Sequence, residues 1–312
     1  MKRLPFTFAI LLTCVAASAS DPPKRPRIFG IAYVRTLVTN VDQARDFYSL
    51  VLNAVPPPAG PQAPCDWCER APSGVAWTIK RLGPIELELL QSQSSVSLLK
   101  EVAFSTDDAK KLRDFLLKNH LAAEKLTKCG IAPCFSILDP ENHKIVFVQK
   151  VDPPAIPIPG AYSSSSISSP IIHAGFVVHD RASQDHFYKD ILGFRVYWHG
   201  GMKDDETNWV DMQVPDGTDW IEYMLNVPAN ADHHTLGVMN HIALGVPDIK
   251  AAREQLIKNG WTGTEQPKIG RDGKWQLNLY DPDDTRVEFM EFTPTQKPCC
   301  SEYTGPHPGQ KP

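Results

Sequence analysis

What this chain lacks narrows its chemistry before any motif is read. It has no run of Lys and Arg long enough to track a phosphate backbone, and its formal charge of −4 becomes −6 once Lys2 and Arg3 are set aside. Nucleic acid and anionic membrane surfaces are therefore not expected as partners. There is no phosphate-cradling glycine loop, no nucleophile elbow and no HExxH helix. The commonest nucleotide-binding, serine-hydrolase and zinc-protease readings fall away with them. The apolar run from about Pro5 to Val15 is too short to span a bilayer, which takes about 20 residues.

That short run reads instead as a targeting segment. Lys2 and Arg3 precede it, and Ala17-Ser18-Ala19 supplies the small residues a signal peptidase needs. Residues 1–19 are expected to be a cleaved signal peptide, which makes the mature chain periplasmic or secreted and leaves it no membrane contact. A lipoprotein reading at Cys14 is weaker, because Thr13 is larger than the residue usual there. Export sets the cysteine reading too: without Cys14 there remain Cys65, Cys68, Cys129, Cys134, Cys299 and Cys300. An even number in an oxidising compartment favours disulfides, with the pairing left open. Cys65-Asp-Trp-Cys68 has no βαβ context of a redox motif around it. Cys299-Cys300 sits in a Pro-rich tail and reads as a staple for that tail.

What the chain does have is an internal repeat. Ile171 to Phe187, IIHAGFVVHDRASQDHF, is an apolar strand followed by a helix that ends at Gly193. Met239 to Gly260, MNHIALGVPDIKAAREQLIKNG, repeats the plan, with Ile249, Ala252, Leu256 and Ile257 assigned to one helical face and Asn259-Gly260 as the stop. Three further apolar runs follow each helix, so each unit reads βαβββ. The first half carries the plan twice more. Phe47-Tyr48 matches Phe187-Tyr188 and Lys118-Asn119 matches Lys258-Asn259 at an offset of 140, and Asp139-Pro140 matches Asp281-Pro282 at 142. The fold class is α+β, four βαβββ modules paired into two domains. A length of 312 residues with 42% hydrophobic content is ample for two buried cores. The boundaries are residues 20–150 for the N-terminal domain, 151–170 for a Pro/Ser-rich linker, 171–293 for the C-terminal domain and 294–312 for the tail.

On that repeat stand His173, His241, Glu222 and Glu288. Side chains alternate along a strand, so all four can project to the side of the sheet away from the helices. An unpaired buried charge in an apolar trough costs several kcal/mol, and one divalent cation satisfies all four groups at once. Nitrogen and oxygen donors suit Zn, Ni, Co, Mn or Fe(II). Histidine is only 10 of 312 residues, so two at equivalent positions by chance is about a one-in-a-thousand event.

These residues, with the turn Tyr280-Asp-Pro-Asp-Asp284 leading into Arg286-Val-Glu-Phe289, resemble the vicinal oxygen chelate superfamily, which includes glyoxalase I, bleomycin resistance proteins and extradiol dioxygenases. The resemblance implies that two modules form one cupped sheet around a metal and that the second half alone completes a site. The first half departs from the pattern: Tyr33 replaces His173, Glu101 replaces His241 and Val146 replaces Glu288. The N-terminal domain is therefore expected to be degenerate and metal-free.

For the reaction, the intact quartet points to glyoxalase-like proton transfer on a small oxygenated substrate, with Glu222 and Glu288 as candidate bases. An extradiol-type Fe(II) dioxygenase using His173, His241 and Glu288 is the alternative. It lacks an expected tyrosine, since Asn278 stands at that position, and Arg271-Asp-Gly-Lys274 offers no histidine; His199, His233 or His234 would have to serve. A binding protein of the bleomycin-resistance kind is a further alternative. Trp198, Trp220, Met224, Asn278 and Met290 are the candidate substrate contacts, and Trp209 is a further aromatic for a binding cup. Because one half already holds a full site, the chain is expected to be a monomer or a homodimer.

Overall fold

Each half folds as one mixed sheet with helices against one side, in a computed structural model that describes residues 24–51, 77–82, 85–91, 99–129, 132–150, 167 and 170–309. The first half runs β1 (Ile28–Val38), α1 (Val41–Val51), β2 (Trp77–Leu82), β3 (Ile85–Gln91), β4 (Leu99–Thr106), α2 (Ala109–Lys118), β5 (Thr127–Cys129), β6 (Ala132–Leu138) and β7 (Lys144–Gln149). The second runs β8 (Ile171–Val177), α3 (Arg181–Asp185), which continues as a π-helical turn (His186–Ile191), β9 (Arg195–Gly200), β10 (Trp209–Gln213) and β11 (Trp220–Met224). It goes on through α4 (His233–Met239), β12 (His241–Val246), α5 (Ile249–Lys258), β13 (Lys268–Ile269), β14 (Trp275–Tyr280) and β15 (Arg286–Glu291). Among the described residues three modules are complete βαβββ units and the first is β-α-β-β. Residues 1–19, most of 151–170, Cys65 and Cys68 lie outside the described residues.

The sheets have matching orders, β2-β3-β1-β4-β7-β6-β5 and β13-β14-β15-β12-β8-β11-β10-β9. In each, the first strands of two modules pair antiparallel at the centre, β1 with β4 and β8 with β12. The last strand of each module then lies parallel to its own first strand, as β11 does to β8 and β15 to β12. That arrangement alone places the residues of four non-consecutive segments side by side.

Local sequence explains where the helices begin. An Asp or Asn side chain accepts from the first backbone N–H groups of every helix: Asn40, Asp108, Asp180, Asp232 and Asp248. Asn259 and Gly260 end α5, where Gly260 takes φ +98 at low cost. On α5, Ile249, Ala252 and Leu256 are buried, but Ile257 is 47% exposed. Its place one residue after Leu256 turns it about 100° off the buried stripe, so the expected four-residue face is three residues wide. A register slip between β8 and β12 at Ala243/Leu244 also reorients one residue. Alternation with His173 would turn Ile172 toward the helices, but it packs with Tyr197, Trp198 and Met290 on the opposite side.

The helix-side faces of both sheets contribute to one continuous hydrophobic cluster rather than two, with Phe104 meeting Phe194 edge to face at 5.4 Å. A reciprocal pair of tyrosines pins the halves together. Tyr48 on α1 donates to Asp281 (3.0 Å) in the turn before β15, and Tyr188 in the π-helical turn donates to Asp139 (3.1 Å) in the equivalent turn before β7. Each aspartate also accepts from two backbone N–H groups of its own turn. Replacing either tyrosine by phenylalanine leaves a buried carboxylate short of a donor. Each change should lower unfolding free energy by about 1–3 kcal/mol in denaturant titration; an unchanged midpoint in both variants would show that the clasp contributes nothing.

Two disulfides join described cysteines, Cys129–Cys134 and Cys299–Cys300. The tail is more than a stapled end. Thr304 donates to Tyr197 O, Ser301 Oγ accepts from His199 N, and Cys299 O and Pro306 O accept from Trp198 Nε1 and Gln213 Nε2. It therefore lies along β9 and β10 of the second sheet.

Candidate metal centre

The second sheet brings His173, Glu222 and His241 together with ligand atoms within 4.8 Å of one another, and sets Glu288 beside both imidazoles. His173 on β8 and His241 on β12 present Nε2 atoms 3.0 Å apart. Glu222 on β11 places Oε2 3.1 Å from His241 Nε2 and 3.7 Å from His173 Nε2. Glu288 on β15 places Oε2 3.7 Å from both. Donors about 2.1 Å from a single ion stand about 3.0 Å apart at right angles and about 3.4 Å apart at the tetrahedral angle. The edges that involve the two imidazoles bracket those values, while Glu288 lies outside the group of atoms within 4.8 Å of one another that His173, Glu222 and His241 form.

Space for this cluster comes from Gly175, which lies opposite His241 on one side and Glu222 on the other. A Cβ there would stand 2.1 Å from His241 Cε1. The imidazole can lie against the β8 backbone only because no side chain intervenes.

Hydrogen bonds and burial set the donors' protonation. His241 Nδ1 donates to Met239 O at 3.0 Å, which leaves the Nε2 lone pair facing the cluster. Burial holds both imidazoles well below the usual histidine range, so both enter the site neutral. Burial also pushes the Glu222 and Glu288 carboxyls up to about 7 against the opposing pull of Arg286. Asp211 on β10 and Asp272 before β14 are buried in the same trough, raised by the same cause. Against these four carboxylates stand two cations, Lys274 and Arg286, so two negative charges are unmatched when both imidazoles are neutral. A divalent ion makes good that deficit. Arg286 Nη2 lies 2.7 Å from His241 Nε2 and 3.9 Å from Glu222 Oε2, a positive group among the donor atoms. The donor types, the spacing and the charge thus fit a divalent metal held by His173, His241 and Glu222, with Glu288 next to both imidazoles as the fourth expected donor.

The raised carboxyls carry a pH signature. In the metal-free protein their folded pKa values exceed the unfolded ones, so their contribution to stability is full in acid and is lost as pH rises through about 7. Metal binding must displace those protons, so affinity should climb by up to about two logarithmic units per pH unit below 7 and flatten above it. Isothermal titration with Zn or Co between pH 5.5 and 8.5 reads this slope; a pH-independent affinity would contradict it.

The remaining expected contacts divide into two groups. Trp198, Trp220, Met224 and Met290 are all buried on the same side of the sheet as the donors, and Trp220 stacks on His173 with centroids 4.8 Å apart. Asn278 pairs with Glu288 across the strands, and its Oδ1 is buried with no hydrogen-bond partner among the described residues. His233 and His234 instead face the Asp283–Asp284 turn, and His199 is held through its backbone to the tail's Ser301. Gly175, Asp211, Asp272 and Lys274 were not singled out from the sequence. The alternation that marks Glu222 marks Asp211, its cross-strand partner, and the even positions of β14 that include Asn278 extend back to Lys274.

The equivalent place in the first half is built differently. Glu101 accepts hydrogen bonds from the Tyr33 hydroxyl and from Arg35 (3.0 Å), with Lys144 Nζ at 2.8 Å. Lys144 holds the position that Arg286 holds in the second half. There the buried acid is answered by side-chain cations.

Residues 171–289 match the profile described as the Glyoxalase/Bleomycin resistance protein/Dioxygenase superfamily. No curated protein matches the chain. Among solved structures it is similar to a variant of homoprotocatechuate 2,3-dioxygenase from B. fuscum in complex with HPCA, at 19% identity over 87% of this chain and 73% of that one, with a TM-score of 0.59. The anaerobic complex of homoprotocatechuate 2,3-dioxygenase from Brevibacterium fuscum with 3,4-dihydroxyphenylacetate is similar at 18% identity, over 93% of this chain and 85% of that one, with a TM-score of 0.58. At these identities the likeness is one of fold. No helix among the described residues is long and apolar enough to cross a membrane.

Proposed function

We propose, from the match of residues 171–289 to the Glyoxalase/Bleomycin resistance protein/Dioxygenase superfamily, that the chain is an exported one-metal enzyme acting on a small molecule with two neighbouring oxygens. The observation that carries this is the convergence of His173, His241, Glu222 and Glu288 with donor spacings of 3.0–3.7 Å. A divalent ion held there would supply Lewis-acid polarisation of a substrate oxygen, easing loss of a proton from the adjoining carbon. Around it the chain's own residues divide the work. The neutral imidazoles hold position through Met239 O and the Trp220 ring, Trp198, Met224 and Met290 exclude water, and Glu222 or Glu288 takes and returns the proton.

Two finer readings differ at Glu222. Its close approach to both imidazoles supports proton transfer of the glyoxalase type, with four protein donors. The solved structures of similar fold are ring-cleaving dioxygenases, which supports an extradiol reaction better than the glyoxalase one. In that reading His173, His241 and Glu288 hold Fe(II), and Glu222 stands outside the donor set to serve as base. The first half, with its Glu101 cluster, is structural in either reading.

The test is the metal content of the purified mature protein beside His173→Ala. About one divalent ion per chain in the parent and a small fraction of that in the variant is expected. Equal content in both, or none in the parent after Zn, Co, Mn and Fe(II) loading, would remove the metal-enzyme reading.

A further inference from the structure

Lys274 is the residue in the second half that neither finer reading uses. It begins the face of β14 that continues through Gln276 and Asn278, the face shared with Glu288 and Met290. Its side chain is fully buried, and its Nζ has no hydrogen-bond partner among the described residues. Three aromatic rings wall it in: Trp220 at 4.6 Å from centroid to Nζ, Tyr303 at 5.2 Å and Tyr197 at 5.3 Å. The Trp220 ring that touches this ammonium also stacks on His173, so Lys274 lies one ring beyond the donor set. Trp220 Nε1 is likewise a buried donor without an acceptor.

Cation–π contact offsets part of the cost of burying an ammonium, but it leaves all three N–H donors unmet, and an unmet buried donor costs free energy. Burial lowers the Lys274 ammonium from its ordinary range, and Asp272, Asp211 and Glu288 pull through space in the opposite direction. None of the three forms an ion pair within 4.0 Å of Nζ among the described residues. An acceptor oxygen within hydrogen-bonding reach of Nζ is what the described residues do not supply. Tyr303, which forms one wall, donates to Asp272 O, so the tail closes this end of the trough and keeps the ammonium away from bulk water.

We infer that Lys274, with Trp220 Nε1 beside it, is a specificity residue that receives an anionic oxygen group, of the carboxylate class, on the end of the substrate remote from the metal-chelating oxygens. The inference rests on the proposed chelation of neighbouring oxygens by the metal centre.

Three chelating probes separate the two ideas: benzohydroxamate, 4-carboxybenzohydroxamate and 4-carbamoylbenzohydroxamate, titrated calorimetrically into the Zn-loaded full mature chain. The carboxylate should bind at least tenfold tighter than its isosteric neutral amide, and in Lys274→Met that preference should shrink to within threefold while benzohydroxamate binds as before. Equal affinity for carboxylate and amide in the parent protein overturns the role of Lys274 and leaves chelation standing; this arm needs no variant to fold. A preference that survives intact in Lys274→Met also overturns it. Failure of all three probes to bind removes the chelation reading and this inference together.

Discussion

A valine at position 175 should empty the metal site without altering one ligand. Gly175 lies inside β8, with Glu222 across one strand boundary and His241 across the other. A Cβ at that position would stand 2.1 Å from His241 Cε1 and 2.4 Å from its Nδ1. The ring cannot yield toward the sheet, because its Nδ1 is held by Met239 O, and it cannot swing outward without taking Nε2 from His173 and Glu222. Metal content is expected to fall from about one ion per chain to near zero, with activity following it. Gly245→Ala is the control: on β12, its added Cβ would press on Phe292 and Ile172 rather than on a ligand. That change should lower thermal stability by the usual cost of overpacking, about 1–3 kcal/mol, and leave the metal in place. If Gly175→Val keeps a full complement of metal, the cluster does not depend on the close approach of His241 to β8, and the geometry of the centre has been misread.

The position of Gly175 shows what kind of information the sequence held. The quartet was legible because it depends on two local rules applied four times, strand alternation and the recurrence of a module, and both survive in single residues and their neighbours. The Asp-Pro turns and the Phe-Tyr pairs were legible as markers of the repeat. Their meeting as Tyr48 with Asp281 and Tyr188 with Asp139 was not, since it depends on how the two halves pack. The same holds for Asp211, Asp272 and Lys274. Each is an ordinary polar residue in an ordinary place, an aspartate mid-strand or a lysine after an Asp-Gly turn. Their burial comes from tertiary packing, to which the tail contributes Tyr303 against Asp272 and Lys274. Ile172 was misplaced because alternation counts residues and a register slip inserts one. Ile257 was misplaced because an apolar residue one position past a buried one was counted into the stripe. The fold of the second half was thus readable from periodicity, and the positions of its four candidate donors from the repeat. The charge environment that tunes the chemistry belongs to tertiary structure.

Glu222→Gln should separate the two readings of the reaction, because they give this one side chain different work. As the fourth donor and proton carrier, its carboxylate is needed twice. An amide of the same size would weaken metal affinity by about ten- to a hundredfold and, with the site resaturated, lower kcat by about a thousandfold at little change in KM. Loss of one of the two carboxyls that titrate near 7 should also reduce the pH slope of metal uptake from about two to about one. As a residue outside an Fe(II) triad, Glu222 would change neither the iron content nor its pH slope, and the effect would fall on oxygen uptake with catechols. The two outcomes are read in one preparation, by metal analysis and an oxygen electrode. The first outcome is the one that the position of Glu222 supports, since its Oε2 lies 3.1 Å from His241 Nε2, nearer than Glu288 at 3.7 Å; the similar structures, which are dioxygenases, support the second. Iron at one equivalent with an unchanged slope would assign the centre to ring cleavage, with Glu222 as its base.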